Sequence, residues 1–216
     1  MAKIITFFEN SHDNTHCLQS CIKSLLSFYF FNDVFTDKEI DTKTIHTGGW
    51  SSWLPPAVIW LNELGLNVKL YSEFDYERFI NEGEKYVREL KGEDIFNHEK
   101  RNGSYQNISL IQEACSKIVK KGLWEKRSMP KKELESELEN ENTFAIGKTV
   151  YEWLDGDKTG MTSHYILLIK KYGPEIWRAH DPGLPGIENR KIPQEIDTQS
   201  ILGDLLIVRG LNNKIN

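Results

Sequence analysis

The chain has 216 residues, of which 39% are hydrophobic and 27% are charged, and its formal net charge is −5. These values are typical of one globular domain with a mildly acidic surface, and they argue against nucleic acid as a partner. We therefore expect a single domain over residues 1–216.

Membrane and secretory signals are weak throughout the chain. No apolar run approaches the roughly 20 residues that cross a bilayer, and residues 1–9 are too short and too acidic for a signal peptide. The three cysteines do not form the even framework of a secreted disulfide domain. We therefore expect a cytoplasmic protein with free thiols and no membrane partner, and we predict no oligomeric state.

The first segments predict a strand over 3–8, a polar loop over 9–16 and a helix from Cys17 to about residue 31. Residues 13–15 have side chains that cap free backbone N–H groups, which places Cys17 in the first helical turn. The apolar side of this helix is formed by Leu18, Cys21, Ile22, Leu25, Phe28 and Tyr29.

A cysteine at a helix start is suited to nucleophilic chemistry. Unpaired backbone donors and the positive end of the helix dipole favour a thiolate there, so we expect Cys17 to be reactive. Cys21 lies a full turn further in, within the apolar stripe, and we expect a buried core residue. A purely structural role for Cys17 is the open alternative.

The rest of the chain predicts a helical middle and a β-rich end. The expected helices cover 36–44, a segment from the prolines at 55–56 through Asn62, 75–90, 104–121 with a charged loop at 97–101 before it, a segment from Pro130, and 194–201. The expected strands cover 67–71, 123–127, 143–150, 164–170, 175–180 and 204–208.

Two tryptophans precede the helix that begins near the paired prolines. Trp50 and Trp53 are candidates for lining a substrate groove. The alternative is that they cover the core where this helix docks.

The last hairpin brings a histidine and a carboxylate together. If residues 172 and 175 pair across a two-residue turn, His164 lies opposite Gly183. Asp181 is then one diagonal step from His164 on the same face, within reach of a hydrogen bond. A three-residue turn would shift this register.

These residue types match the parts of a thiol nucleophile site. Cys17 would attack, His164 would take and return the proton, and Asp181 would fix the imidazole tautomer. His180 points to the opposite face by strand alternation and is a weaker candidate for the base.

Three segments, Cys17–Ile22, His164–Ile169 and His180–Gly183, together resemble papain-like cysteine peptidases of family thirty-nine. That family is the bacteriocin-processing, double-glycine leader peptidase type, and the closer resemblance is to its stand-alone relatives. Further similar stretches are Trp50–Gly65, Phe74–Tyr76, Asp181–Pro185 and Glu188–Lys191. The resemblance implies an α+β papain-like fold, with an N-terminal nucleophile helix and helical lobe packed on a C-terminal antiparallel sheet. It also implies acyl transfer on a peptide or amide without a cofactor.

The chain departs from this family at two positions. The family usually has an oxyanion-hole glutamine six residues before the nucleophile, where this chain has Ser11, and glycine after the nucleophile, where it has Leu18. Asn10 carries a similar amide and is the candidate substitute, together with the backbone N–H of Cys17. An ordinary turn asparagine is the alternative.

Two metal patterns fail on inspection, so no metal is predicted. The segment that begins at Asp155 resembles a calcium loop, but Ile166 occupies the twelfth position, where a glutamate is needed. The group His12, His16, Cys17 and Cys21 lacks a second ligand pair at zinc spacing.

The sequence therefore predicts a cysteine peptidase that hydrolyses a peptide or isopeptide-like amide of a peptide or protein substrate. The alternatives are a transamidase or deamidase with the same triad, and a catalytically idle papain-like module that binds a peptide.

Overall fold

The computed structural model describes residues 5–11, 13–48, 52–157, 159, 162–171, 176–193 and 203–211. The α-helices in these ranges are α1 (Cys17–Tyr29), α2 (Asp37–Thr44), α3 (Leu54–Glu63), α4 (Tyr76–Glu82), α5 (Glu84–Lys91), α6 (Glu93–Arg101), α7 (Ile108–Lys120) and α8 (Lys131–Leu138). The strands are β1 (Leu66–Ser72), β2 (Trp124–Glu125), β3 (Thr143–Val150), β4 (Ser163–Lys171), β5 (Ile176–Asp181), β6 (Ile187–Pro193) and β7 (Asp204–Leu211). A 3-10 helix covers Tyr151–Asp155.

The seven described strands form one sheet in the order β2-β1-β7-β3-β4-β5-β6. Every neighbouring pair is antiparallel except β1 and β2, which are parallel. Most helices precede the strands in sequence, so the fold is α+β, as predicted. No helix in the described ranges is long and apolar enough to cross a membrane.

Both faces of the sheet are covered by packed side chains. Alternate residues of the central strands point to opposite sides and therefore contribute to two cores. Tyr165 and Leu167 of β4 belong to the larger core with α1, α3 and α7. Ile166 and Leu168 belong to a second core on the other face, which contains the buried leucines of α8. The central strand β4 is therefore apolar on both faces, as its sequence predicts.

Helix α1 is more enclosed than its amphipathic pattern predicts. Its apolar stripe is buried, but Gln19, Ser20 and Ser24 on its polar side are also buried. Gln19 Nε2 donates hydrogen bonds to Thr44 Oγ1 at 3.0 Å and to Ser52 Oγ at 3.2 Å. Part of the polar side of α1 therefore packs against α2 and the segment before α3.

The middle of the chain differs from its prediction in its helix boundaries. The helix predicted over 75–90 is two helices, because Gly83 adopts φ 56° and ψ −127° between α4 and α5. That conformation is open to glycine and strained for other residues. The charged stretch 97–101, predicted as a loop, lies in α6, and α7 begins at Ile108.

The two ends of the chain differ as well. Residues 5–8 form no strand, whereas a strand was predicted over 3–8. Strand β6 was not predicted. The helix expected at 194–201 and the Gly173–Pro174 turn lie outside the described residues.

Candidate active site

Helix α1 begins at Cys17, as predicted, but its capping is not the predicted one. The residue at the N-cap position is His16, whose side chain makes no capping hydrogen bond. The side chain of Asn10 organises the preceding loop, because its Oδ1 accepts hydrogen bonds from His16 N at 2.7 Å and from Ser11 N at 2.9 Å. The prediction that residues 13–15 cap this helix was therefore wrong.

Asn10 also links the loop before α1 to the segment that follows β5. Its backbone N–H donates to Pro182 O at 2.8 Å, next to Asp181, and its Nδ2 donates to Asn14 Oδ1 at 2.8 Å. The side chain is buried and holds the loop that leads to Cys17. One of its two amide N–H groups is therefore engaged in this loop, and its oxyanion role stays a prediction.

His164 lies between Cys17 and Asp181. Its Nε2 is 2.7 Å from Asp181 Oδ1, and the Cys17 side chain is near enough to the same ring to raise its pKa. Since Asp181 occupies Nε2, Nδ1 is the nitrogen left for the sulfur. His164 and Asp181 are buried, whereas Cys17 is partly exposed. The structure thus brings the three predicted catalytic residues together, and Cys17 is the partly exposed member.

The environment favours a charged imidazole at this position. Burial lowers the pKa of His164, but its hydrogen bonds to Asp181 and Cys17 outweigh that effect and raise the pKa to about 9. Burial likewise raises the pKa of Asp181, yet the His164 ring and its other donors bring that pKa below its ordinary value. An imidazolium beside a cysteine sulfur stabilises the thiolate.

Asp181 is anchored by two further donors. Its Oδ2 accepts from Arg190 Nη1 at 2.7 Å, and its Oδ1 also accepts from Gly183 N at 3.0 Å. Arg190 is itself buried, and its Nη2 donates to Asp155 Oδ1. The carboxylate therefore has a fixed orientation, with Oδ1 directed at His164.

Tyr151 packs against the ring of His164. The two ring centroids are 5.1 Å apart at an interplanar angle of 84°. A Cβ atom on Gly183 would lie 2.6 Å from Tyr151 Cε2, so the backbone after Asp181 approaches this ring closely. Tyr151 therefore fills the space beside the His164–Asp181 pair.

A polar cluster lies beside Cys17 on the helical side. The His16 ring lies 3.3 Å from Asp13 Oδ1 through Nδ1 and 3.3 Å from Asp41 Oδ1 through Nε2. The ring of His46 is 4.3 Å away, centroid to centroid, and burial and His16 lower its pKa. Across the described part of the chain, no group of three or more histidine, cysteine, aspartate or glutamate side chains could hold a metal ion.

The remaining histidine and cysteine candidates lie in structural positions. His180 Nε2 is 3.3 Å from Ile5 O, and burial lowers the pKa of its ring. Cys21 and Cys115 are buried free thiols, and burial raises the pKa of both. Of the three cysteines, Cys17 is the one whose side chain raises the pKa of His164.

Trp53 lies in an aromatic cluster of the helical lobe. Its ring stacks on Phe79 at 5.2 Å, and its Nε1 donates to Ser104 O at 3.2 Å. This packing favours the alternative that Trp53 covers the core, and its role in substrate binding stays a prediction. Trp50 lies outside the described residues.

Two residues that contact the candidate site were not identified from the sequence. Arg190 and Tyr151 reach the site only through the register of β6 on β5 and through the 3-10 helix between β3 and β4. Neither has a local pattern that separates it from its neighbours. Arg190 stands beside Lys191, and only the strand pairing shows which of the two cations is buried.

Comparison with protein-family models found no match to this chain, and comparison with curated protein sequences also found none.

Proposed function

We propose that this protein is a cysteine peptidase of papain-like fold that hydrolyses a peptide or isopeptide-like amide. The observation that carries the proposal is the hydrogen bond of His164 to the Asp181 carboxylate, with the Cys17 side chain near the same ring. A nucleophile, a base and an orienting group in this order form the unit that acyl transfer requires.

In the proposed reaction, His164 takes the thiol proton of Cys17, and the sulfur attacks the amide carbonyl carbon. The tetrahedral intermediate collapses as the C–N bond breaks, and the imidazolium gives its proton to the leaving amine. Water then attacks the thioester with His164 as base, which releases the carboxylic acid and restores the thiol. Asp181 and Arg190 keep the imidazole oriented throughout.

The oxyanion of the intermediate requires hydrogen-bond donors near the sulfur. The backbone N–H of Cys17 lies in the first turn of α1, where helical N–H groups have no intrahelical partner. The free N–H of the Asn10 amide is the proposed second donor. Loss of one such donor typically costs about 100-fold in rate.

The fold is consistent with this proposal. The candidate nucleophile begins the first helix, and the candidate base and its carboxylate lie on neighbouring antiparallel strands β4 and β5. This arrangement supports the papain-like resemblance of the Cys17 and His164 segments.

A catalytically idle peptide-binding module is the second candidate. The hydrogen bonds of Asn10 to Asn14 and His16 favour it, because they assign this amide to the loop. An idle module needs no oxyanion donor and no nucleophile.

Profiling a peptide library with the wild-type protein and Cys17→Ala separates the two candidates. A peptidase cleaves a subset of peptides, and Cys17→Ala abolishes that cleavage. Peptides that bind equally well to both proteins, without cleavage by either, would support the idle module. Cleavage that survives in Cys17→Ala would contradict the proposed mechanism.

A further inference from the structure

A pocket of about 500 Å³ is lined by residues that neighbour the candidate catalytic histidine in the sheet. One wall contains Ser163, the residue before His164 in β4, and Thr149, which pairs with His164 across β3 and β4. The pocket thus lies against the part of β3 and β4 that carries His164, and it is the candidate site for a substrate side chain near the scissile bond.

The opposite wall comes from the helical lobe and is largely apolar. Phe74, Tyr86 and Leu90 line this side, and Val150 faces them from the end of β3. Phe74 and Tyr86 pack edge to face, with centroids 5.1 Å apart. Such a surface suits the methylene stem of a long side chain, which packs on apolar groups while its charged end stays polar.

The charges in the pocket are not balanced. Lys148 Nζ lies 3.8 Å from Asp204 Oδ2, and Asp204 Oδ1 accepts a hydrogen bond from Ser72. Glu73 is exposed, and no hydrogen bond or ion pair to its side chain occurs within the described part of the chain. The pocket therefore contains one carboxylate without a partner.

Two other cations of the helical lobe, Arg78 and Lys91, are already paired. Arg78 lies over the Tyr86 ring and is held by Glu82 and Glu89, and Lys91 is paired with Glu99. They leave Glu73 open to a cation from outside the chain.

We propose that this pocket binds a lysine or arginine side chain of the substrate, with Glu73 as its ionic partner. The inference rests on the proposed function and specifies its substrate class. The stem of the basic residue packs against Phe74 and Leu90, and its charged end reaches the Glu73 carboxylate. Peptides with a basic residue near the cleaved bond are then the preferred substrates.

The test measures kcat/KM for peptides that differ at one position near the cleaved bond, with lysine, glutamine or glutamate there. We expect the wild type to prefer lysine over glutamine by about fivefold, as for one exposed ion pair. Glu73→Gln should remove this preference, and Glu73→Lys should shift it toward glutamate. Glu77→Gln, at an exposed glutamate of α4 outside the pocket lining, is the matched control and should keep the wild-type preference.

The outcomes separate this inference from the proposed function. Cys17-dependent cleavage without a basic preference, or a preference that Glu73→Gln leaves unchanged, would overturn the pocket assignment and leave the peptidase intact. A wild-type protein that cleaves no peptide would contradict the proposed function and this inference together.

Discussion

His164 Nε2 lies 2.7 Å from Asp181 Oδ1, and both side chains are almost completely buried. This contact connects the partly exposed sulfur of Cys17 to a carboxylate that Arg190 and the Gly183 N–H hold in place. The pair is therefore fixed by buried contacts, whereas Cys17 is partly exposed.

Cys17 should be the reactive thiol of this protein. Iodoacetamide at neutral pH should modify Cys17 well before Cys21 or Cys115, because burial raises the pKa of both other thiols and excludes the reagent. Peptide mapping by mass spectrometry after timed labelling measures the three rates. Equal or slower labelling of Cys17 in the folded protein would indicate a structural thiol.

Arg190 should stabilise the protein through Asp181. Arg190→Met leaves the buried Oδ2 of Asp181 without its cation, and we expect a loss of about 3–5 kcal/mol in the free energy of unfolding. Labelling of Cys17 should slow as well, because Asp181 no longer orients His164. Urea unfolding and timed alkylation measure the two effects.

The matched control for Arg190 is Lys191→Met, which removes an exposed cation from the adjacent position of β6. Its effect on stability should stay within about 0.5 kcal/mol. Equal losses of unfolding free energy in both variants would show that the Asp181–Arg190 contact contributes no more stability than an exposed cation.

Two buried histidines should respond to pH with opposite signs. The folded-state pKa of His164 is raised to about 9, so its contribution to stability is present below pH 6.5 and is lost as the pH rises through 9. That contribution is about 3 kcal/mol at most. The folded-state pKa of His180 is lowered, so His180 destabilises the fold as the pH falls below 6.5.

Urea unfolding between pH 5 and about 10 for the wild type, His164→Gln and His180→Gln measures this difference. The stability advantage of the wild type over His164→Gln should shrink as the pH rises. Its stability relative to His180→Gln should fall as the pH drops. An advantage over His164→Gln that grows with pH would contradict the His164 assignment.

Gly183 should tolerate no side chain while Tyr151 is in place. A Cβ atom there would lie 2.6 Å from Tyr151 Cε2 and 3.1 Å from Asp181 Oδ1, so Gly183→Ala must displace the ring or the carboxylate. We expect a destabilisation of about 1–3 kcal/mol and slower labelling of Cys17. Thermal unfolding and timed alkylation measure both.

The control for this substitution is Gly210→Ala, because nothing lies within 4 Å of a Cβ at that position. Adding Tyr151→Ala to Gly183→Ala should restore part of the loss, because it removes the closest clash. Equal stability and equal Cys17 labelling rates in Gly183→Ala and Gly210→Ala would contradict the close packing around the His164–Asp181 pair.

The His164–Asp181 pair was predicted from an assumed pairing of β4 with β5. That pairing is correct near the site but not at the far end of the two strands. Pairing of residues 172 and 175 places position 171 opposite 176, but the structure pairs Lys171 with Trp177. A bulge between Leu168 and Lys170 adds one residue to β4 and restores the predicted register at Leu167 and His180. Strand alternation thus predicted the correct neighbours, whereas a bulge has no signal in residue types alone.

Long-range partners were beyond the sequence for a related reason. The start of α1 follows from local periodicity, so the position of Cys17 was predictable. Arg190 reaches Asp181 only after β6 pairs with β5, and Asn10 reaches His16 N only after the loop has folded. Local patterns do not encode such contacts.

The most direct test of the central claim is a double-mutant cycle that measures kcat/KM on a peptide selected from the library. The claim is that Cys17 and His164 act as one unit, so Cys17→Ala, His164→Ala and the double variant should all lose nearly the same large factor in kcat/KM. Circular dichroism should show that all three variants remain folded. Cys17→Ala removes only one sulfur, at a cost of about 1–2 kcal/mol at most in the free energy of unfolding. Losses that multiply in the double variant, or turnover that survives Cys17→Ala, would contradict the account.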